Sequence, residues 1–198
     1  MTEPADGRRS LLRRISDIAG MLLITLFISA MLFTYVVQIY PVTGDSMLDT
    51  LRDGDRVLVL PLSMPEPGDI AVIDVHGSVT LDENGEPQIS AGAEKLMIKR
   101  VIAVGGQTVD IDFERGSVTV DGKMLDEEYL THGLTHMDSG AFTGQYPVTV
   151  PDGYVFVMGD NRPVSRDSRS ADMGFVPESD ILGRVVRIVL TPGRNGAV

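Results

Sequence analysis

The chain has 198 residues, room for a membrane anchor and one domain, and its hydrophobic fraction of 43% is ordinary for a packed core. Net charge is −11, and residues 41–198 carry most of the excess acid, which argues against a nucleic-acid partner because phosphate affinity comes from Lys and Arg. The absence of cysteine excludes disulfides, thiolate metal sites and a cysteine nucleophile.

Residues 1–17 are polar and carry Arg8, Arg9, Arg13 and Arg14. Ile18 to Tyr40 follows without a charged side chain. As a helix it would run about 35 Å, enough for a bilayer core of about 30 Å. The segment is predicted to span the membrane, with Tyr35 and Tyr40 at its distal interface. The preceding arginines put the N-terminus in the cytoplasm by the positive-inside rule. The apolar run exceeds the h-region of a cleaved signal peptide, and no small-x-small site ends it. The expected organisation is a cytoplasmic tail over 1–17, a single transmembrane helix over 18–40 and an extracytoplasmic domain over 41–198.

Beyond the span, short apolar runs alternate with turn signals. Strands are predicted at Arg56–Leu60, Ile70–Val75, Lys95–Val104, Thr108–Phe113, Ser117–Val120, Tyr154–Met158 and Gly183–Leu190. Residues 77–93 read as a polar, glycine-rich excursion with a hairpin tip at Asn84-Gly85. Residues 121–147 read as irregular, and a short helical turn fits 177–181. The fold class is mainly β: one β-rich domain behind one N-terminal helix.

Three stretches carry candidate chemistry. The first is Gly44-Asp45-Ser46-Met47-Leu48-Asp49-Thr50-Leu51, where Ser46 is either a turn serine or a nucleophile. The second is Met97-Ile98-Lys99-Arg100-Val101-Ile102. Lys99 there either turns its ammonium to solvent from a strand edge or is buried. Burial would depress its pKa and make a neutral amine that can accept a serine proton. The third is Gly159-Asp160-Asn161-Arg162 followed by Ser165-Arg166-Asp167-Ser168-Arg169, by composition a charged loop flanked by apolar segments. His132 and His136 have a metal-like spacing but no accompanying glutamate motif, and with His76 they read as loop residues.

In this order, behind one apolar segment, the stretches resemble the bacterial type I signal peptidases, membrane-anchored serine proteases with a Ser/Lys dyad, in their Gram-positive single-span form. The resemblance covers most of the chain. It implies Ser46 as nucleophile, Lys99 as general base and Ser165 as the residue that orients the lysine amine. Asp160 with Arg100, and Asp167 with Arg169, would be charge pairs framing the site, with Gly159 and Asn161 in the turn that carries them. Val42, Met47, Leu51, Met97 and Ile98 match positions that line shallow pockets for small substrate side chains. The implied activity is cleavage of N-terminal signal peptides from exported preproteins after small residues, of the A-x-A type. The implied partners are those signal peptides and membrane lipid, with no nucleic acid, no cofactor and no metal. Oxyanion stabilisation would fall to the Ser46 backbone N–H, because Gly44 stands where some relatives carry a side-chain donor.

The chain departs from the family pattern at Asp49, Gly105, Gln107 and Pro163-Val164. A specialised, pilus-associated paralogue is one alternative reading. A self-cleaving repressor-type peptidase is another, disfavoured by the span and the acidic domain. A third is a non-catalytic membrane-anchored β domain for binding or assembly.

Overall fold

The computed structural model describes residues 5–82, 84–189 and 196–197, with side chains described from Leu11 onward apart from Thr34, Gly196 and Ala197. The first four residues of the predicted tail, and the side chains of Arg8 and Arg9, lie outside that range. The chain divides into two compact units, one ending at Gln38 and the other beginning at Ile39.

The first unit is built on α1, Ala5–Val36. Its stretch Leu11–Phe33 is long and apolar enough to cross a membrane, with a mean hydropathy of 2.1. Leu22, Leu23, Leu26, Phe27 and Phe33 are all exposed, as suits a helix solvated by lipid chains. The predicted span of 18–40 is too long at its distal end. The helix stops at Val36, and Gln38–Pro41 forms strand β1. An uncharged run does not distinguish the end of an apolar helix from a neighbouring strand.

The second unit is a β domain. Its larger sheet contains β1, β2 (Arg56–Leu60), β3 (Ile70–Leu81) and β4 (Pro87–Val104). The smaller sheet is β5 (Thr108–Asp112), β6 (Ser117–Val120), β7 (Lys123–Met124) and β8 (Val148–Thr149), in the order β7-β6-β5-β8. The chain then returns to the larger sheet with β9 (Tyr154–Met158), β10 (Val176–Pro177), β11 (Ile181–Val189) and β12 (Gly196–Ala197). Its order is β1-β2-β11-β3-β4-β9-β10, with β12 on β11. A 3-10 turn, Glu178–Asp180, falls where a short turn was predicted.

The mainly β class holds, and the predicted strands recur within a few residues. The polar excursion at 77–93 does not. Thr80 and Ser78 pair with Gln88 and Ser90, so β3 and β4 continue as two arms of one long hairpin almost to the Asn84-Gly85 tip. Much of the β4 arm is exposed, so it lacks the apolar alternation that marks a half-buried strand.

Three apolar clusters fix the site. One joins the two sheets through Ile102, Val109, Ile111 and Val118, with the Phe142 and Phe175 rings in contact, their centroids 4.6 Å apart. A second lies along β3, β4 and β9 and contains Ile73, Met97, Val101 and Val157. The third packs Val42, Met47 and Leu51 against Val57, Val59, Val72 and Ile188, with Ile98 at its margin. Met47 and Leu51 are completely buried, worth about 1.5–3 kcal/mol each. They hold the turn that carries Ser46 against the sheet.

Candidate active site

Ser46 projects from the turn between β1 and β2, pinned by Met47 below and by the 160s loop beside it. Asn161 donates its N–H to the Ser46 carbonyl at 2.9 Å and its side-chain amide to the Asp45 carbonyl at 3.0 Å. Gly44 sits at φ +85°, a conformation that strains any L side chain. A serine or threonine donor at that position would therefore carry a backbone cost.

Lys99 reaches the serine from β4. Its Nζ donates to Ser46 Oγ at 2.7 Å and to the Ile98 carbonyl at 3.1 Å. The residue is 4% exposed. Burial pushes its pKa down to about 8, and nearby Asp167 offsets part of that effect. Of the two environments open to Lys99 in the sequence, the buried one is found.

The acids around the lysine are neutralised by arginines. Asp160 is fully buried and takes a two-pronged contact from Arg100, Nε at 2.8 Å and Nη2 at 2.6 Å. Asp167, also fully buried, is held the same way by Arg169 at 2.9 and 2.8 Å. Burial alone would raise the Asp167 carboxyl, but Arg169 outweighs it and keeps it below the usual carboxylate range. These are the two pairings the resemblance implied. Each acid also braces the backbone: Asp167 accepts from the Gly159 N–H at 3.0 Å, and Asp160 accepts from Thr50 Oγ1 at 2.5 Å.

Ser165 is buried beside these groups, but its hydroxyl makes no well-formed hydrogen bond to Lys99 or any other described group, although its dipole favours the charged form of Asp167. Gly159 runs so close to Ser165 and to the Ser46 carbonyl that a Cβ would overlap both. The tight approach explains the glycine there.

A groove of about 700 Å³ runs past the dyad, lined by Val42, Met47, Met97 and Ile98 among others. Leu51 lies under its floor and does not line it. Met97 and Ile98 pack into different clusters, as alternation along a strand requires. β4 pairs with β9 only from Arg100 to Val104. Lys95 to Lys99 pair with β3 on one side and face the groove on the other.

The irregular 121–147 segment supplies contacts that sequence reasoning missed. Arg162, in the loop that reads as charged by composition, is 1% exposed. It donates to Glu127 at 2.5 Å, to Thr135 Oγ1 at 2.6 Å and to the Gly159 carbonyl at 3.1 Å. The Tyr129 ring lies 4.0 Å from the Arg100 guanidinium, and burial together with Glu127 pushes its phenol up to about 12. The closely spaced Glu127 and Tyr129 in a polar run were the available signal. Asp49 accepts from Thr131 at 3.0 Å and lies 3.3 Å from His132 Nε2, tying the serine turn to the same segment. His136 Nδ1 lies 3.0 Å from the Phe113 carbonyl and His76 lies beside Asp74. Gln107 rebuilds the turn after β4 by accepting from the Val104 N–H at 3.0 Å.

A family profile described as signal peptidase, peptidase S26, matches residues 15–190. The chain belongs to the signal peptidase family. Among relatives, signal peptidase I of Mycobacterium tuberculosis is 33% identical over 234 aligned positions, covering 99% of this chain and 78% of the relative. A probable signal peptidase I-1 of Synechocystis is 38% identical over 179 positions, covering 87% and 81%. Signal peptidase IB of Staphylococcus aureus is 32% identical over 162 positions, covering 76% of each chain. A solved signal peptidase I from Enterococcus faecalis is 25% identical and superimposes with a TM-score of 0.43, covering 61% of this chain and 95% of that one. Membership makes this signal peptidase homologue a serine endopeptidase, and its apolar N-terminal helix a membrane anchor.

Proposed function

We propose that this protein cleaves N-terminal signal peptides from exported preproteins, with Ser46 as nucleophile and Lys99 as general base. The observation that carries this reading is the 2.7 Å contact between Ser46 Oγ and a buried lysine amine. A lysine with its pKa near 8 is partly neutral at physiological pH and can accept the serine proton. Ser46 Oγ then attacks the scissile carbonyl, and the Ser46 N–H stabilises the oxyanion. The protonated Lys99 gives its proton to the departing amine, and the Lys99 amine, neutral again, deprotonates the water that hydrolyses the acyl-enzyme. The Arg100–Asp160 and Arg169–Asp167 pairs keep free carboxylates from holding the lysine charged. Ser165, buried beside the dyad without a hydrogen bond to the amine, would orient it once its hydroxyl turns toward Lys99.

The substrate lies extended along the Lys95–Lys99 edge of β4, adding a strand to the sheet. Met97 then lies beside the residues one and three before the cut, and Val42, Met47 and Ile98 complete the lining of the groove, where small side chains fit. The anchor crosses the membrane once, with the N-terminus in the cytoplasm and residues 41–198 outside, so the domain meets preproteins at the lipid surface. The excess of acid in the chain disfavours a nucleic-acid partner.

Detergent-solubilised full-length protein incubated with a preprotein and lipid tests the proposal. The expected result is one cut after a small residue, lost in Ser46→Ala and absent when leucine replaces alanine before the cut. Undiminished cleavage by Ser46→Ala would overturn it.

A further inference from the structure

The groove extends past the small-residue pockets, and its far end carries a second lysine. Lys95 lies four residues before Lys99 on the same face of β4, with Met97 between them. The two lysines therefore stand about 13 Å apart along the edge that faces the groove. Lys95 is exposed, and it makes neither a hydrogen bond nor an ion pair among the described residues. The groove's other cations are engaged: Arg166 pairs with Asp172, and Lys99 contacts Ser46. A free cation at one end of a substrate groove stands out in a domain with a large excess of acid.

Strand geometry determines which substrate residue meets it. β9 occupies the β4 edge from Arg100 onward, so a bound peptide can use only the Lys95–Lys99 side. If the residue before the cut sits at Lys99 and the third residue before it near Met97, the peptide runs parallel to β4. Both strands advance by about 3.3 Å per residue, so the fifth residue before the cut lies opposite Lys95.

We infer that Lys95 is a specificity-determining residue that favours a negatively charged side chain at the fifth substrate position before the cut. This rests on the groove assignment above. A partly exposed charge pair of this kind is expected to change kcat/KM by about two- to five-fold.

The test uses the full-length protein in detergent and lipid, with synthetic peptides spanning a cleavage site. All carry alanine one and three residues before the cut, and the fifth is Glu, Gln or Lys. The wild type should prefer Glu over Gln over Lys. Lys95→Glu should reverse that ranking, Lys95→Ala should flatten it, and added salt should compress it in both charged proteins. The same ranking in wild type and Lys95→Glu would overturn the inference. A peptide with leucine before the cut separates the two levels. If leucine and alanine peptides turn over equally, the groove assignment itself fails. If alanine is required but the charge ranking ignores residue 95, only the role of Lys95 fails.

Discussion

Lys95 and Lys99 are the same residue type on the same face of the same strand, yet their environments are opposite. Lys95 is exposed and unpaired among the described residues, whereas Lys99 is almost fully buried, with its amine on Ser46 Oγ. Two steps of the β pleat separate a solvated cation from a base. The environment of the amine, not the residue type, decides which chemistry is possible. For Lys99 that environment is an apolar wall and two carboxylates already taken by arginines.

The largest effect should come from denying Lys99 its neutral form. Lys99→Arg keeps length and charge but cannot deprotonate, and Lys99→Ala removes the base. Each is expected to lower kcat by about 10³-fold or more in preprotein cleavage, as Ser46→Ala should, without unfolding the domain. Substantial activity in Lys99→Arg would show that the two lysines are not chemically distinct.

Next comes the frame. Arg169→Ala leaves Asp167 buried and unpaired, expected to cost about 3–5 kcal/mol in denaturant unfolding. The freed carboxylate should also raise the lysine pKa and move the acid limb of kcat/KM to higher pH. A stable variant with an unmoved limb would mean that Arg169 does not govern the lysine.

Lys99 itself should be a stability cost. Its proton leaves near pH 8 in the native chain but near 10.5 in the unfolded one. Between those values the unfolded state binds more protons, so stability rises with pH. Below about 8 the native state bears the full penalty, about 3 kcal/mol on this shift. Lys99→Met should recover stability of that order at pH 7 and flatten the rise between pH 8 and 10.5. Wild-type kcat/KM should climb through about pH 8 over its acid limb, because the neutral amine is the base.

The smallest effect belongs to Lys95. Its charge also disfavours the charged form of Lys99, after burial and against the opposing pull of Asp167. Lys95→Gln should raise the acid-limb midpoint by a few tenths of a pH unit, roughly what an exposed charge at this distance contributes. A shift as large as that of Arg169→Ala would erase the contrast between the two lysines.

The contrast itself was half legible in the sequence. Leu96, Met97 and Ile98 beside Lys99 marked an apolar strand, but periodicity could not say which lysine it buries. Ser46, Arg100, Asp160, Asp167 and Arg169 came from ordered motifs, and their pairings match the structure. Ser165 is present, but its lysine contact is not formed. Apolar alternation exposed most strands, but the polar hairpin arms at 77–93 and the strand Gln38–Pro41 lack that signal. Glu127, Tyr129 and Arg162 escaped because burial of a charged cluster depends on contacts between residues 27 to 35 positions apart in the chain. No local pattern encodes that distance.

The free edge of β4 has a further consequence. An uncapped row of backbone donors and acceptors accepts any extended chain, including another molecule of this protein. The edge is short, since β9 closes it from Arg100 onward and the Ala93 N–H is already taken by the Asp172 carbonyl, and a lysine stands between them. Those are the devices by which sheet proteins resist edge-to-edge aggregation. A short edge that bears a lysine can thus receive a substrate strand, as proposed above, and still disfavour pairing with a second copy of the chain.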